Sequence, residues 1–145
     1  MKIFLDTSVL VKLYHQEDET DALDLFFSTS KITAIYLSEI TKIEFESTFW
    51  KKVRTKELSE PEALRILEIF ERDSFKYLFT PTDTIVIERA RVLISNYGIK
   101  GLRTLDAIQL ATAVLLSPQV DLFLTSDNLL KLFFEIEKLK TGISN

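Results

Sequence analysis

The sequence of 145 residues contains no cysteine and a single histidine, His15. Without cysteine the chain cannot form a disulfide, bind zinc through thiolates or use a cysteine nucleophile. One histidine is too few to build a histidine metal site, and it makes a Ser-His-Asp triad very hard to assemble. If the chain is an enzyme, its chemistry must therefore rely on carboxylates, hydroxyls, amines and bound metal ions.

Glycine, proline and long apolar runs are also scarce. The three glycines and three prolines are scattered, so no flexible linker divides the sequence, and we expect a single domain over residues 1–145. No apolar run reaches the ~18 residues that a membrane-spanning helix needs. Since Asp6 follows the first apolar residues directly, the start does not resemble a secretory signal, and we expect a cytoplasmic protein.

The sequence has no excess of positive charge, because its formal net charge is −4. This balance argues against nucleic-acid binding driven by charge over the whole surface, but it leaves binding at one local site open. Two divalent cations would cancel the formal charge. The composition, 46% hydrophobic and 28% charged, is otherwise that of a globular domain able to bury a core.

Short apolar runs alternate with longer stretches of helical periodicity. The runs predict strands at residues 3–5, 32–37, 77–80 and 121–125. Helices are predicted near residues 9–14, 21–27, 38–56, 83–97, 105–116 and 128–137. A further helix is predicted after a capping box formed by Ser59 and Glu62, and Thr104 is predicted to cap the helix at 105–116. This alternation favours an α/β sandwich around a mainly parallel sheet, in which ligands bind beyond the carboxyl ends of the strands.

Four acidic residues fall where that rule places a site. Asp6 follows the first strand and Asp127 lies just beyond the last one, while Glu44 and Asp106 lie in the early turns of two helices. Clustered carboxylates repel one another, and a hard divalent cation such as Mg²⁺ or Mn²⁺ removes that cost. Such a site suits phosphodiester hydrolysis, because a bound ion generates hydroxide at neutral pH.

Each of these acids also has a simpler explanation. Asp6 and Asp127 could be turn or N-cap residues, Asp106 could complement a helix dipole, and Glu44 could be a solvated helix residue. Helical phase does not distinguish Glu44 from the neighbouring glutamates. The residues alone therefore predict a candidate acidic site and no particular enzyme.

Four segments, in this order, resemble the PIN-domain family, and within it the small toxins of the VapC kind. They are Ile-Phe-Leu-Asp-Thr-Ser-Val-Leu-Val-Lys-Leu-Tyr at 3–14, Leu-Ser-Glu-Ile-Thr-Lys-Ile-Glu-Phe at 37–45, Leu-Asp-Ala-Ile-Gln-Leu-Ala-Thr-Ala at 105–113 and Phe-Leu-Thr-Ser-Asp at 123–127. The third is the most specific. In the second, a serine six residues earlier selects Glu44 over Glu39 and Glu46.

The resemblance implies a PIN-like three-layer α/β/α sandwich and a Mg²⁺- or Mn²⁺-dependent endoribonuclease that cuts RNA. It also implies the toxin of a toxin–antitoxin pair, commonly a homodimer inhibited by a small antitoxin protein. Asp6, Glu44 and Asp106 match the metal ligands of the family, and Asp127 matches a position that often acts through water. Ser8 and either Thr125 or Ser126 would orient ligands or simply cap turns.

Two other functions remain open from the sequence. A phosphatase that forms an aspartyl-phosphate on Asp6 would need an acid two residues later, where this chain has Ser8. A PIN-like module that binds RNA or protein without catalysis would not need all four acids.

For the remaining charged residues, the simplest interpretation is a solvent-exposed or structural role. Lys100 and Arg103 could contact RNA phosphate but more simply lie in a solvated loop. His15 is expected at the surface or partly buried. A basic helix end should complement the helix dipole; it consists of Lys51, Lys52, Arg54 and Lys56.

Overall fold

The computed structural model describes residues 1–142, which contain four β-strands and seven α-helices. The strands are β1 (Lys2–Leu5), β2 (Ala34–Ser38), β3 (Leu78–Thr80) and β4 (Leu122–Leu124). The helices are α1 (Thr7–Tyr14), α2 (Thr20–Thr29), α3 (Thr41–Arg54), α4 (Glu60–Asp73), α5 (Thr84–Tyr97), α6 (Thr104–Leu116) and α7 (Asn128–Ile136). Single turns of 3₁₀ helix follow α4 and α5, at Ser74–Lys76 and Gly98–Lys100.

The four strands form one sheet in the order β3-β2-β1-β4, and every neighbouring pair is parallel. The predicted α/β class with a mainly parallel sheet is thus confirmed. In the register of β1 and β4, Leu5 lies opposite Leu124. The backbone N–H of Asp6 continues the pairing by donating to the Leu124 carbonyl at 3.1 Å. The carboxyl ends of β1 and β4 therefore meet at one edge of the sheet.

Helices cover both faces of the sheet and enclose two apolar clusters. Side chains alternate along a strand, so Phe4 points to one face of β1 while Ile3 and Leu5 point to the other. The Phe4 side packs against α5, α6 and α7, and the opposite side packs against α1 to α4. The result is the predicted three-layer sandwich.

Some predicted boundaries are wrong by two or three residues. β2 begins at Ala34 rather than at residue 32, and α3 begins at Thr41, because Ser38 is still paired in the sheet opposite Thr80. Thr104 does not cap α6; it is the first helical residue, and Arg103 precedes it without a side-chain cap.

The capping box before α4 is confirmed by reciprocal bonds. The Ser59 hydroxyl accepts from the Glu62 N–H at 3.2 Å, and the Glu62 carboxylate accepts from the Ser59 N–H at 3.4 Å. Within residues 1–142 no helix is both long and apolar enough to cross a membrane.

Candidate active site

A cavity of about 330 Å³ lies at the carboxyl edge of the sheet, and all four acids singled out from the sequence line it. Asp6 follows β1 directly, and Asp127 precedes α7 just beyond β4. Glu44 and Asp106 both lie in the first turns of their helices, α3 and α6. Because α3 starts at Thr41, Glu44 lies one turn earlier in its helix than the sequence predicted. Residues distant in the sequence thus border one space.

Asp6 is almost fully buried, with 5% of its surface exposed, and both of its carboxylate oxygens are hydrogen-bonded. Oδ1 accepts from the Ser8 hydroxyl at 2.6 Å and from the Val9 N–H at 3.3 Å, which makes Asp6 the N-cap of α1. Oδ2 accepts from the Thr125 hydroxyl at 2.7 Å. Burial raises the pKa of Asp6 to about 6, opposed by these three bonds and assisted slightly by the charge of Glu44.

Glu44 is held by a small polar network between α1, α3 and α6. Its Oε1 accepts from the Thr7 hydroxyl at 2.9 Å and from Nε2 of Gln109 at 2.7 Å. The same Gln109 amide lies 3.0 Å from the Thr41 hydroxyl, and Thr41 lies 3.0 Å from Thr7. Since Thr7, Thr41 and Gln109 are buried, these bonds form away from bulk water and fix one oxygen of the carboxylate.

Asp106 and Asp127 lie on the more open side of the cavity. Asp106 is half-buried, and its pKa is raised by desolvation first and then by the negative charges of Asp127 and Glu44, while Arg103 lowers it. Asp127 is exposed and caps α7, since its Oδ1 accepts from the Leu130 N–H at 2.8 Å. The simple N-cap interpretation of Asp6 and Asp127 is therefore correct, and it does not remove either residue from the cavity.

The donor chemistry of this cavity fits a hard divalent cation. The acidic groups offer oxygen ligands only, and burial together with mutual repulsion raises the pKa of Asp6 and of Asp106, a cost that a cation would offset. As positioned in residues 1–142, no three His, Asp or Glu side chains form a group that could hold a metal ion.

Eight further side chains that were not expected at the site from the sequence also border the cavity or support it, and two of them are Val11 and Thr48. Gln109 follows Asp106 by three positions and therefore shares its helix face, a signal that was available in the sequence. Thr7 adjoins Asp6 in the chain, whereas the approach of Thr41 depends on tertiary packing. The remaining three line the cavity and are charged, namely Lys12, Glu17 and Lys52.

Lys52 differs from the rest of the basic helix end. Lys51, Arg54 and Lys56 are exposed, whereas Lys52 is buried and its Nζ donates to Glu17 Oε1 at 3.1 Å. The sequence grouped all four as complements of the helix dipole, and for Lys52 that interpretation is incomplete.

The other charged residues considered from the sequence stay outside the cavity. Lys100 and Arg103 are exposed and do not line it. His15 is partly buried, as expected.

Comparison with known proteins gives one family and several structural neighbours. A family model described as PIN domain matches residues 3–133. No protein of curated function matches the sequence.

The neighbours are similar over nearly the whole chain. VapC20 of Mycobacterium tuberculosis, a toxin that cleaves the sarcin-ricin loop, is 14% identical with a TM-score of 0.68, over 90% of this chain and 93% of its own. VapBC2 of Rickettsia felis, bound to a DNA fragment from its promoter, is 17% identical with a TM-score of 0.65 over 100% of both chains. FitAcB of Neisseria gonorrhoeae is 19% identical with a TM-score of 0.66, over 96% and 95%. At these identities the likeness establishes a common fold.

Proposed function

Because the chain belongs to the PIN domain family, we propose that it is a metal-dependent endoribonuclease and the toxin of a toxin–antitoxin pair. The observation that supports this most strongly is the convergence of Asp6, Glu44, Asp106 and Asp127 on one cavity. These are the residues that the motif resemblance assigns to the metal site. Hydrolysis of a phosphodiester needs no histidine or cysteine when carboxylates hold the metal, which agrees with the composition.

In this proposal Asp6, Glu44 and Asp106 hold Mg²⁺ or Mn²⁺ directly and Asp127 contributes through water. The metal, when bound, supplies a hydroxide nucleophile and stabilises the leaving oxygen. The chain supplies orientation. Ser8 and Thr125 donate to the Asp6 oxygens, so this carboxylate reaches the cavity in one rotamer. Buried donors likewise bind one oxygen of Glu44 and leave its second oxygen for a ligand.

The proposed partners are an RNA substrate, a cognate antitoxin protein and a second copy of the chain, all in the cytoplasm. The names of the structural neighbours, which include a toxin that cuts an RNA loop, support this choice. Several large apolar side chains are exposed, among them Val92 and Ile99, and they are available for contacts with these protein partners. Light scattering on the purified protein should give twice the chain mass of 16.8 kDa.

The central experiment is incubation of purified protein with labelled RNA in Mg²⁺, in Mn²⁺ and in EDTA. We expect cutting only with free metal, and hydrolysis that is equally fast in EDTA would contradict the proposal. Asp6→Asn removes a proposed ligand while keeping the shape, so it should lower the cutting rate by about 10² or more, the scale of a lost preorganised electrostatic group. Asp24→Asn, an exposed acid on α2, is the matched control.

A further inference from the structure

The cavity has an acidic end and a basic end, and the helices set this polarity. On α3, Glu44, Thr48 and Lys52 follow one another at intervals of four residues and all line the cavity. Their backbone positions span about 12 Å at 1.5 Å per residue. On α1, Ser8 and Lys12 repeat the same interval on the facing wall. Both walls therefore change from acid or hydroxyl at the carboxyl edge of the sheet to ammonium groups farther along.

The two lysines are held at the cavity wall rather than extended into solvent. The Lys52 side chain is 7% exposed and its Nζ lies 3.1 Å from Glu17 Oε1. The Lys12 side chain is 16% exposed and its Nζ lies 3.8 Å from Glu19 Oε1. A charge removed from water to this extent is costly unless it is bonded.

The bonds within the protein do not use all the donors. An ammonium group has three N–H donors. In the part of the chain that the structure describes, Lys52 Nζ has one hydrogen-bond acceptor, Glu17. Lys52 can therefore receive a further anionic ligand from the cavity without losing its partner.

We propose that Lys12 and Lys52 form a subsite for a backbone phosphate of RNA beside the phosphate that is cut. This inference rests on the proposed nuclease function and adds the path of the strand, which runs from the carboxylates along α1 and α3 towards the lysines. The cavity presents five carboxylates against two ammonium groups. A polyanion could lie along it only if its phosphates met metal ions at the acidic end and lysines at the basic end. Ammonium groups bind phosphate as point charges and carry no base preference, so the subsite fixes register and not sequence.

The first test removes each charge while keeping the buried stem of the side chain. Lys52→Met and Lys12→Met should each weaken binding of a fluorescent single-stranded oligonucleotide by about tenfold, corresponding to loss of one phosphate contact. The KM for cutting should rise by the same factor with kcat nearly unchanged. Lys51→Met is the matched control, because Lys51 neighbours Lys52 on α3 but is exposed and lies outside the cavity. Equal binding by all three variants and the wild type would overturn the subsite.

The second test separates phosphate binding from a purely structural ion pair. Glu17→Gln removes the partner of Lys52 and one negative charge from the cavity, so the subsite should bind the oligonucleotide as tightly as before or more tightly. If Lys52 served only to tie α3 to the segment after α1, then Glu17→Gln and Lys52→Met would lower binding and thermal stability alike, and the proposal would be wrong.

The third test locates the phosphate. Single phosphates of the oligonucleotide are replaced, one at a time, by neutral methylphosphonates. At one position, beside the cut, the replacement should weaken binding to the wild type but should not further weaken binding to Lys52→Met. Binding and cutting are separate readouts. Lysine-dependent binding without any cutting would refute the proposed function alone, and cutting without lysine dependence would refute the subsite alone. If no oligonucleotide binds, both fail.

Discussion

Asp6 shows how a single side chain can serve the fold and the candidate site together. Its Oδ1 caps α1, its Oδ2 accepts from Thr125 just beyond β4, and the residue lines the cavity. The bond from Thr125 ties the carboxyl ends of the adjacent strands β1 and β4 together. Since burial raises its pKa to about 6, the same residue also carries an electrostatic cost in the absence of a cation.

That cost predicts a pH dependence of stability in EDTA. The pKa of Asp6 is raised in the folded state from 3.8 to about 6, so the folded state binds this proton more tightly than the unfolded state does. Stability should therefore fall as the pH rises from about 4 to about 6 and level off above, by up to about 3 kcal/mol for this group. Asp106, whose pKa is also raised, acts in the same direction. Urea unfolding at a series of pH values measures the fall.

Asp6→Asn should remove most of this dependence. The variant should be more stable than the wild type at pH 7 in EDTA and nearly equal at pH 4, while Asp24→Asn should follow the wild-type curve. If the wild type instead gained stability relative to Asp6→Asn between pH 4 and pH 6, the hydrogen bonds to Asp6 would outweigh its burial.

Gln109 is the residue whose removal should test how Glu44 is oriented. The side chain is 2% exposed, and its two N–H groups donate to the nearest acceptors, Glu44 and Thr41, while Thr7 lies 3.2 Å away. Gln109→Leu would therefore leave a half-buried carboxylate and a buried hydroxyl short of a donor. We expect a loss of about 1–3 kcal/mol in stability. We also expect a larger drop in kcat than Gln109→His produces, because histidine is of similar size and keeps an N–H donor. Unfolding and cutting rates of the two variants give the comparison. Equal kcat in both would show that Glu44 needs no donor from α6.

The acids could be selected from the sequence, whereas two of the residues around the site, Lys52 and Thr41, could not. Asp6, Glu44, Asp106 and Asp127 match motif positions, and strand ends placed two of them at the same edge. Lys52 and Thr41 match no such motif position, and a lysine near a helix end or a threonine near a helix start has an ordinary local role. Their contacts with Glu17 and Gln109 arise from tertiary packing that a single sequence does not encode visibly.

At the level of helices and strands, prediction succeeded where the determining contacts are local. The capping box of α4 involves residues three positions apart, and the structure has it as predicted. The start of α3 depends on β2 remaining paired with β3 up to Ser38, and on the Glu39 N–H donating to the Thr80 carbonyl at 2.9 Å. No local sequence pattern indicates that bond, so the predicted start of α3 was three residues too early.

The α4 capping box also yields a stability prediction that is independent of function. Ser59→Ala removes the acceptor for the Glu62 N–H and should lower the free energy of unfolding by about 1 kcal/mol, the usual value of an N-cap. Because Ser59 is exposed and does not line the cavity, RNA cutting should not change. Thermal unfolding measures the loss. The control is Ser95→Ala, because the exposed Ser95 hydroxyl donates to the Arg91 carbonyl of its own helix and should contribute little. An equal loss in both variants would argue against the cap.

On the scale of the whole molecule, periodicity was enough to predict the architecture. Strands alternate with helices along the sequence, and this order is compatible with few arrangements other than helices on both faces of a parallel sheet. The same rule placed the cavity at the carboxyl edge. Composition could not reveal that a chain with a net charge of −4 has two lysines in the wall of its acidic cavity, Lys52 buried and Lys12 partly buried.

The net charge and these two lysines together predict how salt should affect RNA binding. A basic surface that contacts many phosphates loses affinity steeply as salt rises, since each neutralised phosphate releases counterions. This chain is acidic overall, and the proposed subsite neutralises one phosphate. At fixed Mg²⁺ the logarithm of affinity should therefore fall with the logarithm of salt with a slope of about −0.7, the value for one phosphate of a single strand. Fluorescence anisotropy at a series of KCl concentrations measures that slope.

The variant that carries both Lys12→Met and Lys52→Met should bring the slope close to zero, and Lys51→Met should leave it unchanged. A steep slope that persists in the double variant would mean that RNA phosphates contact other cations, and the exposed Lys100 and Arg103 beside α6 would be the next to replace. A shallow slope abolished by two substitutions would instead mean that RNA is held almost entirely inside the cavity. In that case recognition would depend on whether a strand can enter a space of about 330 Å³, which favours unpaired loops over helical RNA.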